Sequence, residues 1–124
     1  MSVVLIVEDN EKNMKLVRDV LRVKGYATIE ATTAEDGIAL AHEQKPDLIL
    51  MDIQLPGMNG IDALRVLRTD PATARIPAIA VTASVMQQDR NLITDAGFDG
   101  YVGKPINLRE FLDAVRTTLE LHRT

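Results

Sequence analysis

Four short apolar runs of this chain each end at polar residues that can bind a metal ion or a phosphate group. The residues that follow the runs are Glu8, Asp9, Asp52, Thr82 and Lys104. If the runs are parallel strands of one sheet, these side chains meet at its carboxyl-end edge. Open α/β sheets bind their ligands at that edge. The pattern therefore indicates one site made of three carboxylates, a hydroxyl and an ammonium group.

The three carboxylates predict a divalent cation. Without one they would repel each other, and at least one pKa would rise. Ligands that are all oxygen suit Mg²⁺, which takes one or two carboxylates and shares its other positions with water and phosphate. We expect Mg²⁺ to be the cofactor, held by Glu8, Asp9 and Asp52. The backbone carbonyl of Gln54, two residues past Asp52, is placed to complete the metal shell.

The same residues fit phosphoryl transfer. A carboxylate beside Mg²⁺ is a competent nucleophile for phosphoryl transfer and gives an aspartyl phosphate. Lys104 can pair with one phosphoryl oxygen, and the Thr82 hydroxyl can hydrogen-bond another. The predicted chemistry is therefore phosphoryl transfer to a carboxylate of the cluster.

Short β-rich runs alternate with amphipathic stretches along the whole chain. The predicted strands are 3–7, 26–30, 48–51, 78–81 and 99–102. The predicted helices are 11–24, 34–44, 61–69, 85–96 and 108–121, with Asn10 and Thr33 as N-caps of the first two. This alternation predicts a doubly wound parallel sheet with helices on both faces, in three α/β/α layers.

The spacing of the polar strand ends favours one strand order. Asp9 and Asp52 are separated by about two β–α units, so they end strands 1 and 3. In the flavodoxin-like order 2-1-3-4-5 these two strands are neighbours, and the ligand crevice lies between them. That order brings Glu8, Asp9 and Asp52 together.

Composition limits the class of protein. The chain has 124 residues, a net charge of −4 and no cysteine. This length fits one domain, 1–124, with no room for an output domain. The acidic balance argues against nucleic acid or an anionic membrane as the main partner, and the missing cysteines exclude thiolate chemistry. We find no secretory signal and no membrane-spanning run, so we expect a cytoplasmic protein.

The motifs at the ends of the runs carry a family resemblance: Glu8-Asp9-Asn10, the segment 51–60, Val81-Thr82-Ala83 and Lys104-Pro105. They resemble the receiver domain of bacterial response regulators, the CheY-like superfamily, over essentially the whole chain. The segment 7–16 is similar to single-domain regulators of the DivK cell-cycle type and to the receivers of hybrid kinases.

The resemblance implies a role for each matching residue. Asp52 would accept phosphate from a histidine of a sensor kinase, and Thr82 and Lys104 would read the phosphoryl group. Tyr101, three residues before the lysine, matches the switch aromatic of the family. The Lys104-Pro105 bond is expected to be cis, which gives Pro105 a structural role.

These roles predict a phosphorylation-controlled switch of a two-component system and not a turnover enzyme. Thr82 would move toward the phosphoryl group, and Tyr101 would rotate inward and reshape the surface of helix 4, strand 5 and helix 5. The expected partners are a sensor histidine kinase or a histidine phosphotransfer protein, and a downstream protein that binds that surface. We expect a monomer or a weak dimer.

Two alternative functions remain, and a third fits the sequence less well. A phosphorelay intermediate or phosphate sink would use the same site without a conformational output. A hydrolase with an aspartyl nucleophile usually has a second aspartate two residues later, where this chain has Gln54. A flavin mononucleotide binder would want a hydroxyl-rich loop after strand 1 and aromatic residues, but aromatic residues are 3% of this chain.

Overall fold

The fold is an alternating α/β sandwich, seen in a computed structural model that describes residues 2–83 and 87–122. The strands are β1 Val3–Val7, β2 Ala27–Ala31, β3 Leu48–Asp52, β4 Ala78–Thr82 and β5 Gly100–Gly103. The helices are α1 Glu11–Val23, α2 Ala34–Gln44, α3 Gly60–Thr69, α4 Gln87–Ala96 and α5 Leu108–Leu121.

All five strands are parallel, in the order β2-β1-β3-β4-β5. The predicted fold class and strand order are therefore confirmed. Because β1 and β3 are neighbours, the order reverses between them, and a crevice forms at their carboxyl ends.

The two faces of the sheet carry different helices because successive side chains of a strand point to opposite sides. Val4 and Ile6 pack with α1 and α5, around Leu21 and Phe111. On the other face, strand residues such as Leu5 pack with α2, α3 and α4. Both faces of the central strands are buried, which explains why β3 and β4 are apolar up to their last residue.

Helices α1 and α2 begin where the sequence predicts caps, and α3 begins one residue earlier than predicted, at Gly60. The side chains of Asn10 and Thr33 accept hydrogen bonds from the backbone N–H groups of Asn13 and Asp36. These bonds satisfy N–H groups that have no partner within the helix. The predicted start of α4 at Val85 lies outside the described residues.

Small differences from the predicted strand bounds have local causes. Tyr26 was predicted to begin β2, but its N–H donates to Leu21 O at the end of α1, and the strand begins one residue later. β3 extends by one residue, to Asp52, because the next N–H group, that of Ile53, still donates across the sheet to Val81 O. β4 extends to Thr82, whose carbonyl oxygen accepts a hydrogen bond from the Lys104 N–H after β5.

Candidate functional site

The carboxyl ends of β1 and β3 bring three acidic side chains together. The register pairs Val7 with Met51, so Glu8 and Asp52 are the next residues on neighbouring strands. One carboxylate oxygen from each of Glu8, Asp9 and Asp52 lies within 4.8 Å of the others. The predicted cluster is therefore present as a group of side chains.

Burial makes this acidic cluster unusual. Glu8 and Asp52 are only 4% and 2% exposed, whereas Asp9 faces solvent. Buried carboxylates are unfavourable unless they are paired, protonated or bound to a cation. The arrangement thus needs positive charge close by.

Lys104 supplies positive charge from the far side of the site. Its Nζ lies 3.0 Å from Asp52 Oδ2 and 3.3 Å from Glu8 Oε1. The lysine follows β5, and its backbone N–H donates to Thr82 O, which fixes it against the end of β4. The Lys104–Pro105 bond is cis, as the resemblance implies.

The contacts among Glu8, Asp52 and Lys104 shift the pKa values of Glu8 and Lys104. Burial, a hydrogen bond to Asp52 and the charge of Asp52 raise the pKa of Glu8 to about 7, although Lys104 and the Asn10 N–H oppose the rise. Burial alone would lower the pKa of Lys104, but its hydrogen bond to Asp52 and the two negative charges hold it above its ordinary value.

The loop after β3 holds the Asp52 carboxylate from the other side. The Gln54 N–H donates to Asp52 Oδ1 at 2.9 Å. The Gln54 side chain reaches across to β4, where its Oε1 accepts a hydrogen bond from the Ala83 N–H at 3.3 Å. The sequence did not predict this bridge, because no spacing rule pairs a glutamine after β3 with a backbone N–H after β4.

Gly60 lets the start of α3 approach this strand end. A Cβ at Gly60 would lie 2.4 Å from the backbone oxygen of Asp52 and 2.9 Å from Met51 Cγ. Gly57, in the same loop, has a positive φ of 75°, as a turn often requires, whereas Gly60 is required for close packing against Asp52.

Thr82 and Tyr101 lie on β4 and β5, next to the cluster. Val81 is the neighbour of Asp52 across the sheet, and the buried Thr82 is the next residue of β4 after Val81. Tyr101 is 39% exposed and directed outward, with the Arg90 guanidinium over its ring. Arg90 was not singled out in the sequence, since a lone arginine on a helix usually lies in solvent.

The donor set fits Mg²⁺. Three carboxylates at one point offer the hard oxygen ligands that this ion prefers, and the open side at Asp9 leaves room for water or phosphate. Glu8, Asp9 and Asp52 would hold the ion. The backbone carbonyl of Gln54 as a further ligand stays a prediction.

The buried acidic cluster and its lysine at the carboxyl edge of a 2-1-3-4-5 sheet define a doubly wound α/β domain with a ligand site where the strand order reverses. Comparison with known families narrows the class. Residues 4–116 match the model of the response regulator receiver domain. The chain belongs to this family, which serves two-component signalling systems.

Individual relatives agree with this membership. The chain is 44% identical over 116 residues to the polar-differentiation response regulator DivK of Brucella anthropi, covering 94% of each. It is 32% identical to the receiver domain of a sensor histidine kinase from Pseudomonas aeruginosa, with a TM-score of 0.89 and coverage of 96% and 98%. That structure has a magnesium ion coordinated in the active-site cleft.

A third relative supports the fold assignment. The CheY-like receiver domain protein of Methanospirillum hungatei is 28% identical, with a TM-score of 0.91 and coverage of 98% of this chain and 96% of that one. In the described part of the chain, no helix has the length and apolar character needed to cross a membrane.

Proposed function

We propose that the protein is a phosphorylation-controlled switch that accepts a phosphoryl group on Asp52. The observation that carries this proposal is the position of the Asp52 carboxylate. It lies at a strand end between the Gln54 N–H and the Lys104 ammonium, within 4.8 Å of two further carboxylates. The donor would be a phosphohistidine of a sensor kinase or a histidine phosphotransfer protein.

In the transfer step, an Asp52 oxygen attacks the phosphorus and the phosphorus–nitrogen bond to the donor histidine breaks. The electron pair of that bond returns to the imidazole, and Asp52 becomes a mixed anhydride. Mg²⁺, when bound, neutralises charge on the phosphoryl oxygens. The Gln54 N–H donates to Asp52 Oδ1, which orients the carboxylate and leaves Oδ2 beside Lys104.

Lys104 then changes partner. In the present structure its ammonium group contacts Asp52 and Glu8. After transfer, a phosphoryl oxygen replaces the lost carboxylate charge of Asp52 and keeps the lysine in an ion pair. Thr82 would donate its hydroxyl to another phosphoryl oxygen.

The output would be a change of surface. Movement of Thr82 leaves space at the end of β4, and Tyr101, now outward, would rotate into it. A downstream protein would recognise the altered surface of α4, β5 and α5. The position two residues after the nucleophile is Gln54, which lacks an acid to speed hydrolysis, so the group is stored and the protein is not a turnover enzyme.

Acetyl phosphate provides the direct test. Incubation with acetyl phosphate and Mg²⁺ should add one phosphoryl group, detected by intact-mass spectrometry. Asp52→Asn should abolish the addition, while the exposed Asp95→Asn on α4 should not. Failure of the parent to take up phosphate, or unchanged uptake in Asp52→Asn, would contradict the proposal.

A second measurement separates a switch from a phosphorelay intermediate. Beryllofluoride with Mg²⁺ mimics the phosphoryl group without being transferred. A switch should show altered amide signals across α4, β5 and α5 in nuclear magnetic resonance spectra. Changes confined to the residues around Asp52 would favour a relay and overturn the conformational output.

A further inference from the structure

Arg90 and Tyr101 form a cation–π contact on the α4–β5 face. The Arg90 Cζ lies 5.4 Å from the centroid of the Tyr101 ring. The alternation of β5 explains why they meet. Val102 packs on the face covered by α1 and α5, so Tyr101 points to the opposite side, toward α4.

The Arg90 side chain is not held there by a hydrogen bond from its Nε. That atom is buried, and it has no acceptor among the residues that the structure describes. A buried N–H without a partner is unfavourable, so hydrogen bonding by this atom does not explain the position of the guanidinium. The guanidinium lies over the ring of Tyr101.

We propose that Arg90 is a positioning residue that holds Tyr101 in its outward orientation. The cation–π contact exists only while the ring lies outward, since rotation toward Thr82 would remove the ring from the guanidinium. Arg90 therefore stabilises the outward state of Tyr101. Phosphorylation must then supply more free energy to rotate the ring inward. This inference rests on the proposed function, in which Tyr101 is the moving aromatic.

The strength of cation–π contacts sets the expected size of the effect of Arg90 on Tyr101. Loss of the cation should raise the ratio of inward to outward Tyr101 about two- to five-fold, which corresponds to about 0.5–1 kcal/mol. Arg90→Met removes the charge and keeps a long side chain. Arg90→Lys keeps the charge without the Nε and should largely restore the parent ratio.

Fluorine resonance can measure the ratio because the chain has only two tyrosines. In protein labelled with 3-fluorotyrosine, Tyr26→Phe assigns the Tyr101 signal, and beryllofluoride with Mg²⁺ defines its inward position. Without the phosphoryl mimic, Arg90→Met should move the signal toward that position. Arg90→Lys, and the exposed control Arg65→Met on α3, should stay near the parent.

The outcomes separate the two claims. If beryllofluoride does not move the Tyr101 signal in the parent, the switch part of the proposed function fails. If beryllofluoride moves it but Arg90→Met leaves it at the parent position, the inference about Arg90 is overturned. It is also overturned if Arg90→Lys shifts the signal as far as Arg90→Met, because the charge would then not be what holds the ring.

Discussion

The Lys104 ammonium lies 3.0 Å from Asp52 Oδ2 and joins the last strand of the sheet to its central strand across the candidate site. Lys104 is 20% exposed and Asp52 is 2% exposed at the side chain, so solvent screens this pair only partly. The same ammonium contacts Glu8 at 3.3 Å. One cation thus contacts two buried carboxylates, and a bound Mg²⁺ would add further positive charge to the site.

Lys104→Met should destabilise the metal-free protein. The change leaves Asp52 and Glu8 without their cation, and we expect a loss of about 1–3 kcal/mol, less than for a fully buried pair. Added Mg²⁺ should recover part of this loss. Urea denaturation with and without Mg²⁺ measures both effects. Lys15→Met, at an exposed pair, serves as the control and should change stability by less than about 0.5 kcal/mol. Equal losses in the two variants would contradict the role given to Lys104.

Magnesium affinity should rise as pH increases from about 6 to 8. The pKa of Glu8 is raised to about 7, so below that pH the metal must displace a proton. Calorimetric titration in buffers of different ionisation enthalpy should detect proton release near pH 6.5. Glu8→Gln should remove this release, and the exposed Glu11→Gln should keep it. If Glu8→Gln still releases a proton on binding Mg²⁺, the proton comes from another group and the prediction is wrong.

Glu8 should also make the stability of the metal-free protein depend on pH. Because its folded pKa lies above the unfolded value of 4.5, its contribution is fully present below pH 4.5 and is lost as pH rises through about 7. The stability difference between the parent and Glu8→Gln should therefore shift in favour of Glu8→Gln between these values. Thermal unfolding at pH 5 and pH 8 in a chelator measures it, and a difference that stays constant would count against the raised pKa.

Gly60→Ala should disturb the acceptor strand. The added Cβ would lie 2.4 Å from Asp52 O, a backbone atom that cannot move aside cheaply. We expect a loss of about 1–3 kcal/mol and slower phosphoryl uptake. Gly100→Ala is the matched control, since a Cβ there meets nothing within 4 Å. Denaturation together with acetyl phosphate kinetics tests this, and equal behaviour of the two variants would refute the close-packing explanation.

Arg68 should stabilise the fold through hydrogen bonds to backbone carbonyl groups. Its guanidinium donates to the carbonyl oxygens of Ile76 at 2.7 Å, Ala74 at 3.2 Å and Gly97 at 3.1 Å, and so joins α3 to the loops before β4 and after α4. Arg68→Met leaves these carbonyls without a donor and should cost about 2 kcal/mol in urea denaturation. The exposed Arg65→Met should cost little. If Arg68→Met leaves the free energy of unfolding unchanged, water must replace the guanidinium as the donor to these carbonyls.

The sequence predicted the parts of this protein that follow from periodicity and from strand ends. The apolar runs placed the strands, and the positions of Glu8, Asp9 and Asp52 after them placed the acidic cluster. The residue types alone indicated the chemistry. The strand order followed because only neighbouring β1 and β3 bring these carboxylates together.

Contacts that depend on side-chain conformation were not predictable in this way. The Gln54 bridge to Ala83 and the Arg90 contact with Tyr101 join residues far apart in sequence, and neither has a spacing rule. The raised pKa of Glu8 was expected only for some member of the cluster. Its assignment to Glu8 required the burial and hydrogen bonds that the fold creates.

Chemical trapping can identify the phosphorylated residue directly. Borohydride reduces an aspartyl phosphate to homoserine, which peptide mass spectrometry can locate after treatment with acetyl phosphate and Mg²⁺. We expect homoserine at position 52 and none at Asp9 or in Asp52→Asn. Reduction product at another carboxylate, or none in the parent, would contradict the proposed role of Asp52.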